Sequence, residues 1–160
     1  MNSSQFTSPV VAVATGIIGS AWASGTIASL SIIGIPTALS TPGSPTVVWN
    51  GIFTRGMALM PKVAAVTSLC FLYGAYSSRG QRESKTFLSA AGLGVCIVPF
   101  TLVFMAKTNQ LLLGSLKATS ASSAVETARL ISKWGTLNMI RSLFPLAAGI
   151  LGLWGLYDNR

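Results

Sequence analysis

Four long apolar segments constrain the fold of this chain more than any other feature of its sequence. Each is close to the roughly 20 residues that a helix needs to cross a bilayer, and none alternates strictly between apolar and polar residues as a strand would. A helix satisfies its own backbone hydrogen bonds in lipid. We therefore expect an all-α integral membrane four-helix bundle in a single domain of residues 1–160, with spans at about residues 10–33, 47–76, 86–105 and 134–157.

The small number of charged residues supports the membrane prediction. Charged residues make up 9% of the chain, whereas a soluble domain carries about 25%. So few charges cannot cover the surface of a protein in water. The formal net charge of +8 is scattered along the chain, without the clustered basic stripe that nucleic-acid binding needs. We expect the lipid bilayer as a partner and no nucleic acid.

The three links between the segments differ in length and charge. The first, GIPTALSTPGSPT, is uncharged, and the second, SSRGQRESK, is short and basic. The third, residues 107–133, contains an additional predicted helix at about residues 121–133. The positive-inside rule places a short basic loop in the cytosol. With four spans both termini lie on the side of that loop, so we expect the termini in the cytosol. The expected membrane is an endomembrane such as the endoplasmic reticulum.

The composition excludes several kinds of active site. The chain has no histidine and only three acidic residues, Glu83, Glu126 and Asp158. This removes histidine-based zinc, iron and copper sites as well as Ser-His-Asp chemistry. No glycine-rich nucleotide motif follows a strand-like run. We therefore expect no metal and no cofactor.

Small residues recur every four positions in the first segment, at Gly16, Ser20, Ser24 and Ala28. Such a seam lets helix backbones approach closely in lipid. Chance occurrence in a segment rich in small residues is the alternative. The sequence leaves the oligomeric state open, and a homo-oligomer is one of the alternatives.

Polar residues that interrupt the apolar segments gather at one end of the expected bundle. The start of the second span, the end of the third and the start of the fourth lie at the same membrane face. A cation within a membrane segment usually faces the bundle interior, although a side chain near the interface can also extend to the headgroups. In the fourth span three of the residues are spaced i, i+4 and i+7, on one helix face. The residues expected to converge are Arg55, Lys62, Thr101, Thr108, Asn109, Trp134, Asn138 and Arg141.

These side chains suit the binding of an organic anion. Fixed cations and amide donors lower the energy of developing negative charge where water is scarce, so a phenolate or an enolate is the expected class of ligand. Lys62 is a candidate base, with a plain cationic role as the alternative. Lys107 either belongs to the same site or marks where the third helix meets water.

Three stretches of the sequence resemble the anthrone oxygenase family of small fungal membrane proteins. They are WNGIFTRGMALMP in the second span, VPFTLVFMAKTNQLL in the third and LISKWGTLNMIRSLFPLAAGILG entering the fourth. Lys107 departs from the family, which often has an apolar residue or a proline at that position. The matching residues are Arg55, Gly56, Pro61, Pro99, Phe100, Thr101, Thr108, Asn109, Trp134, Gly135, Leu137, Asn138 and Arg141.

The resemblance implies an oxygenase that converts an anthrone to an anthraquinone with O₂ and needs no metal or flavin. In the mechanism that we expect, the substrate loses a methylene proton to give an anthrolate, which passes an electron to O₂. Arg55 and Arg141 stabilise its oxyanion, and Asn109 and Asn138 orient the phenol and ketone oxygens. The other expected substrate-binding residues are Lys62, Thr101, Thr108 and Trp134.

Two other functions remain as alternatives on the sequence alone. A non-enzymatic membrane scaffold or assembly subunit would use the same polar residues for helix packing. A small transporter is less consistent with the sequence, because the opposite halves of the second and fourth spans carry no charge and no inverted repeat is visible. Within the family, the substrate can also be another phenolic polyketide.

Overall fold

Four long helices make up the described part of the protein. The computed structural model describes residues 8–117 and 124–158, and within these ranges the chain forms helices and short turns with no strand. Each helix is long and apolar enough to cross a membrane. The predicted all-α integral membrane bundle is confirmed. The helices are α1 (Ser8–Ser40), α2 (Pro45–Ser77), α3 (Arg82–Leu116) and α4 (Ala124–Asp158).

Two helices extend beyond their predicted ends. α1 continues to Ser40 through half of the predicted first link, which shortens that link to residues 41–44. Hydroxyl groups help here, since Thr37 Oγ1 donates to the carbonyl of Ile33 at 2.8 Å within the same helix. α3 continues to Leu116, well past its predicted end at Met105.

The fourth helix also begins earlier than predicted, at Ala124 rather than at residue 134, and this changes the third link. Its predicted helix at 121–133 is not a separate element: residues 121–123 lie outside the described ranges, and the rest forms the first turns of α4. In α3 the polar residues Thr108 and Asn109 come before the end of the helix and are buried, whereas Thr37 and Ser40 in the extension of α1 are exposed. A change from apolar to polar residues therefore does not mark a helix end in this chain.

The helices form an antiparallel bundle in which each packs against its two neighbours. α1 and α3 both contact α2 and α4 along their lengths. The chain therefore brings the end of α1, the start of α2, the end of α3 and the start of α4 to one end of the bundle, which we call the α1–α2 end. The opposite end, which holds the short α2–α3 loop, is called the terminal end.

Polarity in the bundle is the reverse of that in a soluble protein. Large apolar side chains are exposed on the outer surface, for example Val103 at 71% and Ile18 at 70%, whereas Asn138 is completely buried. An apolar surface of this kind is stable against lipid rather than water, and polar groups inside it need partners within the protein.

Small residues in α1 and α4 make room for one large side chain at the terminal end. Gly16 and Ser20 of the predicted seam are buried, as is Ser24, while Ala28 is half-buried. The ring of Phe71 from α2 is completely buried, and a Cβ added at Gly16 would lie 3.0 Å from it.

Gly152 of α4 contacts the same ring from the other side. A Cβ added there would lie 2.5 Å from Cε1 of Phe71 and 2.9 Å from Cγ1 of Ile17. The close packing of these three helices thus depends on glycine at this position.

Each of two helices contains one wider π-helical turn near the α1–α2 end. In α1 the turn spans Leu30–Gly34, and the amide of Ile35 donates to the carbonyl of Leu30. It ends two residues before Pro36, whose ring would clash with a carbonyl in a regular α-helix. In α3 the turn spans Thr101–Met105. Such turns are frequent at functional sites.

We predict that Gly152→Val destabilises the bundle by about 1–3 kcal/mol, the usual range for overpacking a core. The added side chain must displace Phe71 or Ile17. Thermal unfolding of the detergent-purified protein measures the change. Gly25→Val is the matched control, since Gly25 is exposed and has nothing within 4 Å of an added Cβ. Equal melting temperatures for the two variants would contradict the prediction.

Candidate functional site

Arg141 and Asn138 of α4 form the centre of a polar cluster inside the bundle. They lie one turn apart on the same helix face, and Nη2 of Arg141 donates a hydrogen bond of 2.8 Å to Oδ1 of Asn138. Both side chains are buried. Both side chains therefore point into the bundle. The i, i+4, i+7 spacing of Trp134, Asn138 and Arg141 predicted this inward orientation.

Asn138 connects α4 to α1. Its Nδ2 donates to the backbone carbonyl of Ile27 at 2.8 Å and to Oγ of Ser31 at 3.0 Å. An amide nitrogen has two hydrogens, so both are used, and Oδ1 already accepts from Arg141. Asn138 therefore holds Arg141 in position and has no free donor for a ligand.

Thr101 connects the same arginine to α3. Its hydroxyl donates to the carbonyl of Ile97 at 2.7 Å and accepts a bond of 3.1 Å from Nη1 of Arg141. Thr101 begins the π-helical turn of α3, and Ser31 lies within that of α1. Both wide turns thus contribute a hydroxyl to the cluster on α4.

Three residues that line a cavity beside this cluster each have one buried polar atom without a hydrogen-bond partner. These atoms are Nε of Arg141, Nε1 of Trp134 and Oδ1 of Asn109. Two of them are donors and one is an acceptor. Unpaired buried polar atoms are rare because each costs free energy, so three in one region indicate a place for a polar ligand group.

The three residues line one small cavity. Its volume is about 10 Å³, close to the minimum that holds a single water molecule. It has room for one polar group and no more. The other lining residues, mostly apolar, are Leu30, Ile52, Phe53, Gly56, Met57, Thr101 and Met105.

An aromatic cluster holds Trp134 at this cavity. Trp49 of α2 is completely buried, stacks on Phe53 with ring centroids 5.1 Å apart, and meets Trp134 edge to face at 6.1 Å. The cluster packs around the indole and fixes the direction of its N–H.

The positive charge of Arg141 has no acidic partner in the bundle. The chain contains three acidic residues: Glu83 begins α3 at the terminal end, Asp158 ends α4 there, and Glu126 pairs with Arg129 at 2.8 Å. Among the described residues the partners of the Arg141 guanidinium are neutral. A buried cation of this kind attracts an anion strongly, because little water screens it.

Arg55 and Lys62 do not join the cluster, which corrects the predicted convergence. Arg55 is exposed, and its Nη1 donates to the carbonyl of Gly51 at 3.2 Å. Lys62 is exposed on the same helix. α2 turns Ile52 and Gly56 toward the cavity instead, and Arg55, next to Gly56 in sequence, is rotated by about 100° away from it.

The two remaining polar residues of α3 face different ways. Thr108 is almost completely buried, at 2% exposure, but is not among the residues that line the cavity. Lys107 is exposed, so its charge points away from the cluster. This places Lys107 outside the site.

Sequence reasoning missed several residues of the site. Ser31 and the carbonyl of Ile27 are essential to the position of Asn138, but a backbone carbonyl has no signal in a sequence. Ser31 could have been found from the sequence, because it lies seven residues after Ser24 and therefore on the same helix face as the seam of small residues. The residues of α2 that line the cavity could not be found from the sequence, because they do not differ in type from the other apolar residues of the span.

Comparison with known proteins gives a consistent result. The family model described as anthrone oxygenase matches residues 49–151. The chain is 34% identical to anthrone oxygenase encC of Aspergillus fumigatus, over 90% of this chain and 92% of that protein. It is 36% identical to monooxygenase hypC of Dothistroma septosporum, over 90% and 80%. With noranthrone monooxygenase of Aspergillus flavus the identity is 33%, over 91% and 71%. No solved structure is significantly similar to the chain.

We predict that Asn138→Leu destabilises the protein by about 2 kcal/mol, because a hydrogen bond to a charged group contributes about 1.5–3 kcal/mol. Ser31→Ala should cost about 0.6 kcal/mol, the average for polar contacts between membrane helices. Unfolding in mixed micelles measures both. Thr136→Ala is the control, since its exposed hydroxyl donates only within α4. A loss for Asn138→Leu no larger than that control would contradict the prediction.

Proposed function

The chain belongs to the anthrone oxygenase family, and from this membership we propose that it is a monooxygenase. Its proposed reaction oxidises an anthrone, or a related phenolic polyketide, to an anthraquinone with O₂. Relatives named anthrone oxygenase and noranthrone monooxygenase support the choice of substrate. The observation that carries the proposal is the buried, acid-free Arg141 beside a cavity with room for one polar group.

That cavity suits the oxyanion of an anthrolate. An anthrone that loses a methylene proton places negative charge on its ketone oxygen. Nε of Arg141 and Nε1 of Trp134 are the free donors for this oxygen, and a guanidinium favours the ionised form of a neighbouring acid. Oδ1 of Asn109 is free to accept a hydrogen bond, which suits a phenolic hydroxyl next to the ketone.

The oxidation itself is balanced by O₂ alone. The methylene C–H bond breaks and its proton goes to water, leaving the anthrolate. The anthrolate gives one electron to O₂, and the resulting superoxide forms a C–O bond at the former methylene carbon. After protonation, the remaining hydrogen on that carbon leaves as a proton while the O–O bond breaks. The products are the quinone carbonyl and one water.

The roles of the residues follow from their positions. Arg141, Trp134 and Asn109 act on the substrate oxygens, and Asn138 with Thr101 positions Arg141. The exposed position of Lys62 leaves the release of the proton to water. We further propose that no metal or flavin takes part; the absence of histidine from the chain supports the part of this proposal that concerns metals.

The direct test is the reaction of purified, metal-stripped protein with an anthrone, with and without O₂. We expect formation of anthraquinone and consumption of O₂ in equal amounts, well above the spontaneous rate. Spontaneous oxidation is measured with the heat-denatured protein. A rate equal to that background, both before and after metal or flavin is added, would reject the proposed function and favour a scaffold. Activity that returns only when metal or flavin is added would reject the cofactor-free mechanism alone.

Two variants test the oxyanion site in the same assay. Trp134→Phe keeps the ring but removes one donor, and we expect kcat to fall by about 10²–10³, as when an oxyanion-hole donor is removed. Arg141→Gln should abolish turnover while the protein remains in the membrane. Trp22→Phe, at an exposed position on α1, is the matched control. Full activity of Arg141→Gln would exclude this site.

We also propose that both termini and the α2–α3 loop face the cytosol, in an endomembrane such as the endoplasmic reticulum. Arg79, Arg82 and Lys85 lie in or next to that short loop, which fits the positive-inside rule. Glycosylation acceptor sites fused to either terminus should stay unmodified, and one inserted between α3 and α4 should be glycosylated. Glycosylation of the termini would show that the orientation is the reverse of the one proposed.

A further inference from the structure

The small cavity raises the question of where the rings of the substrate lie. At about 10 Å³ the cavity holds one oxygen substituent, and three fused rings must remain outside it. A larger groove lies between α1 and α2 on the outer surface. Its volume is about 450 Å³, within the range of about 300–1,000 Å³ for small-molecule pockets.

The groove and the cavity share part of their walls. Leu30, Ile52 and Gly56 line both spaces. Gly56 also lines a slot of about 70 Å³ between α2 and α3, which Arg141 borders. A Cβ added at Gly56 would meet no atom within 4 Å. The missing side chain of this glycine therefore leaves open space at the junction of groove, slot and cavity.

The chemistry of the groove defines its ligand. The walls are mostly apolar, and two of them, Val47 at 60% and Leu59 at 44%, are exposed on the lipid-facing surface. Arg55 lines the same groove and is its cation. A flat aromatic body that carries phenolic oxygens fits this combination, because rings pack on apolar walls and on a guanidinium.

We propose that the α1–α2 groove binds the fused rings of the substrate, with Gly56 as the residue that sets which ring systems reach Arg141. The inference rests on the proposed function. In this arrangement the substrate enters from the bilayer, its ketone oxygen passes Gly56 into the cavity, and its rings stay between α1 and α2. Arg55 then binds the outer phenolic oxygens, apart from the oxyanion at Arg141.

Gly56→Leu tests the groove directly, because its side chain fills the junction. Gly92→Leu is the matched control, since Gly92 is exposed on α3, has nothing within 4 Å of an added Cβ and lines none of the spaces above. Binding is measured without O₂ in lipid nanodiscs, as quenching of tryptophan fluorescence by a hydroxylated anthraquinone. Turnover of an anthrone is measured in parallel.

We expect Gly56→Leu to raise both the Kd of the quinone and the KM of the anthrone by at least about tenfold, a change of about 1.4 kcal/mol, with Gly92→Leu unchanged. Gly56→Ala should show a smaller rise of the same kind, which covers the case in which the leucine variant fails to fold. Arg55→Gln should raise the KM of a polyhydroxylated anthrone more than that of unsubstituted anthrone.

The outcomes separate the groove from the proposed function. Wild-type protein that binds the quinone but does not oxidise anthrone above background rejects the function and leaves the groove standing. Wild-type activity with unchanged Kd and KM in both Gly56 variants overturns the groove. A groove filled by a lipid acyl chain predicts no quinone binding and equal KM values, which also overturns it.

Discussion

One buried guanidinium governs the arrangement of the α1–α2 end. An arginine at the centre of a membrane helix costs about 2.5–3.5 kcal/mol, and none of the three acidic residues of this chain pairs with it. Arg141 is therefore satisfied by neutral dipoles, Asn138 on its own helix and Thr101 on α3. Since Asn138 is itself bound to α1, the position of one cation is fixed by three helices.

The π-helical turns in α1 and α3 also help to satisfy the buried Arg141–Asn138 pair. Each supplies a hydroxyl, from Ser31 and Thr101, at the level of the α4 pair. Neutral partners leave the positive charge uncompensated, and Arg141 and Trp134, each with an unpaired N–H group, line a cavity with room for one polar group. A site of this kind is organised before any ligand arrives, which is the condition under which fixed dipoles stabilise a developing anion most effectively.

The sequence predicted those parts of the structure that depend on helical periodicity. Four spans, and the inward face of Trp134, Asn138 and Arg141, follow from length and spacing alone, and three motifs in order led to the family. Periodicity does not show which face of a helix lies against the bundle interior. Arg55 was therefore expected at the cavity, whereas Gly56, the next residue, lines it. The end of α3 was misplaced for a related reason. Thr108 and Asn109 are polar but buried, and only the packing of other helices shows that.

The two ends of the bundle differ in how freely their residues can change. Around Phe71, glycines of α1 and α4 leave no space for even one added carbon, so the terminal end admits few alternative sequences. Around Gly56 the structure has open space, since an added Cβ would meet no atom within 4 Å. Diversification of this scaffold toward new ring systems would therefore be concentrated at the exposed or half-buried groove positions of α2, such as Val47, Gly56 and Leu59, while the buried residues around Phe71 keep the fold unchanged.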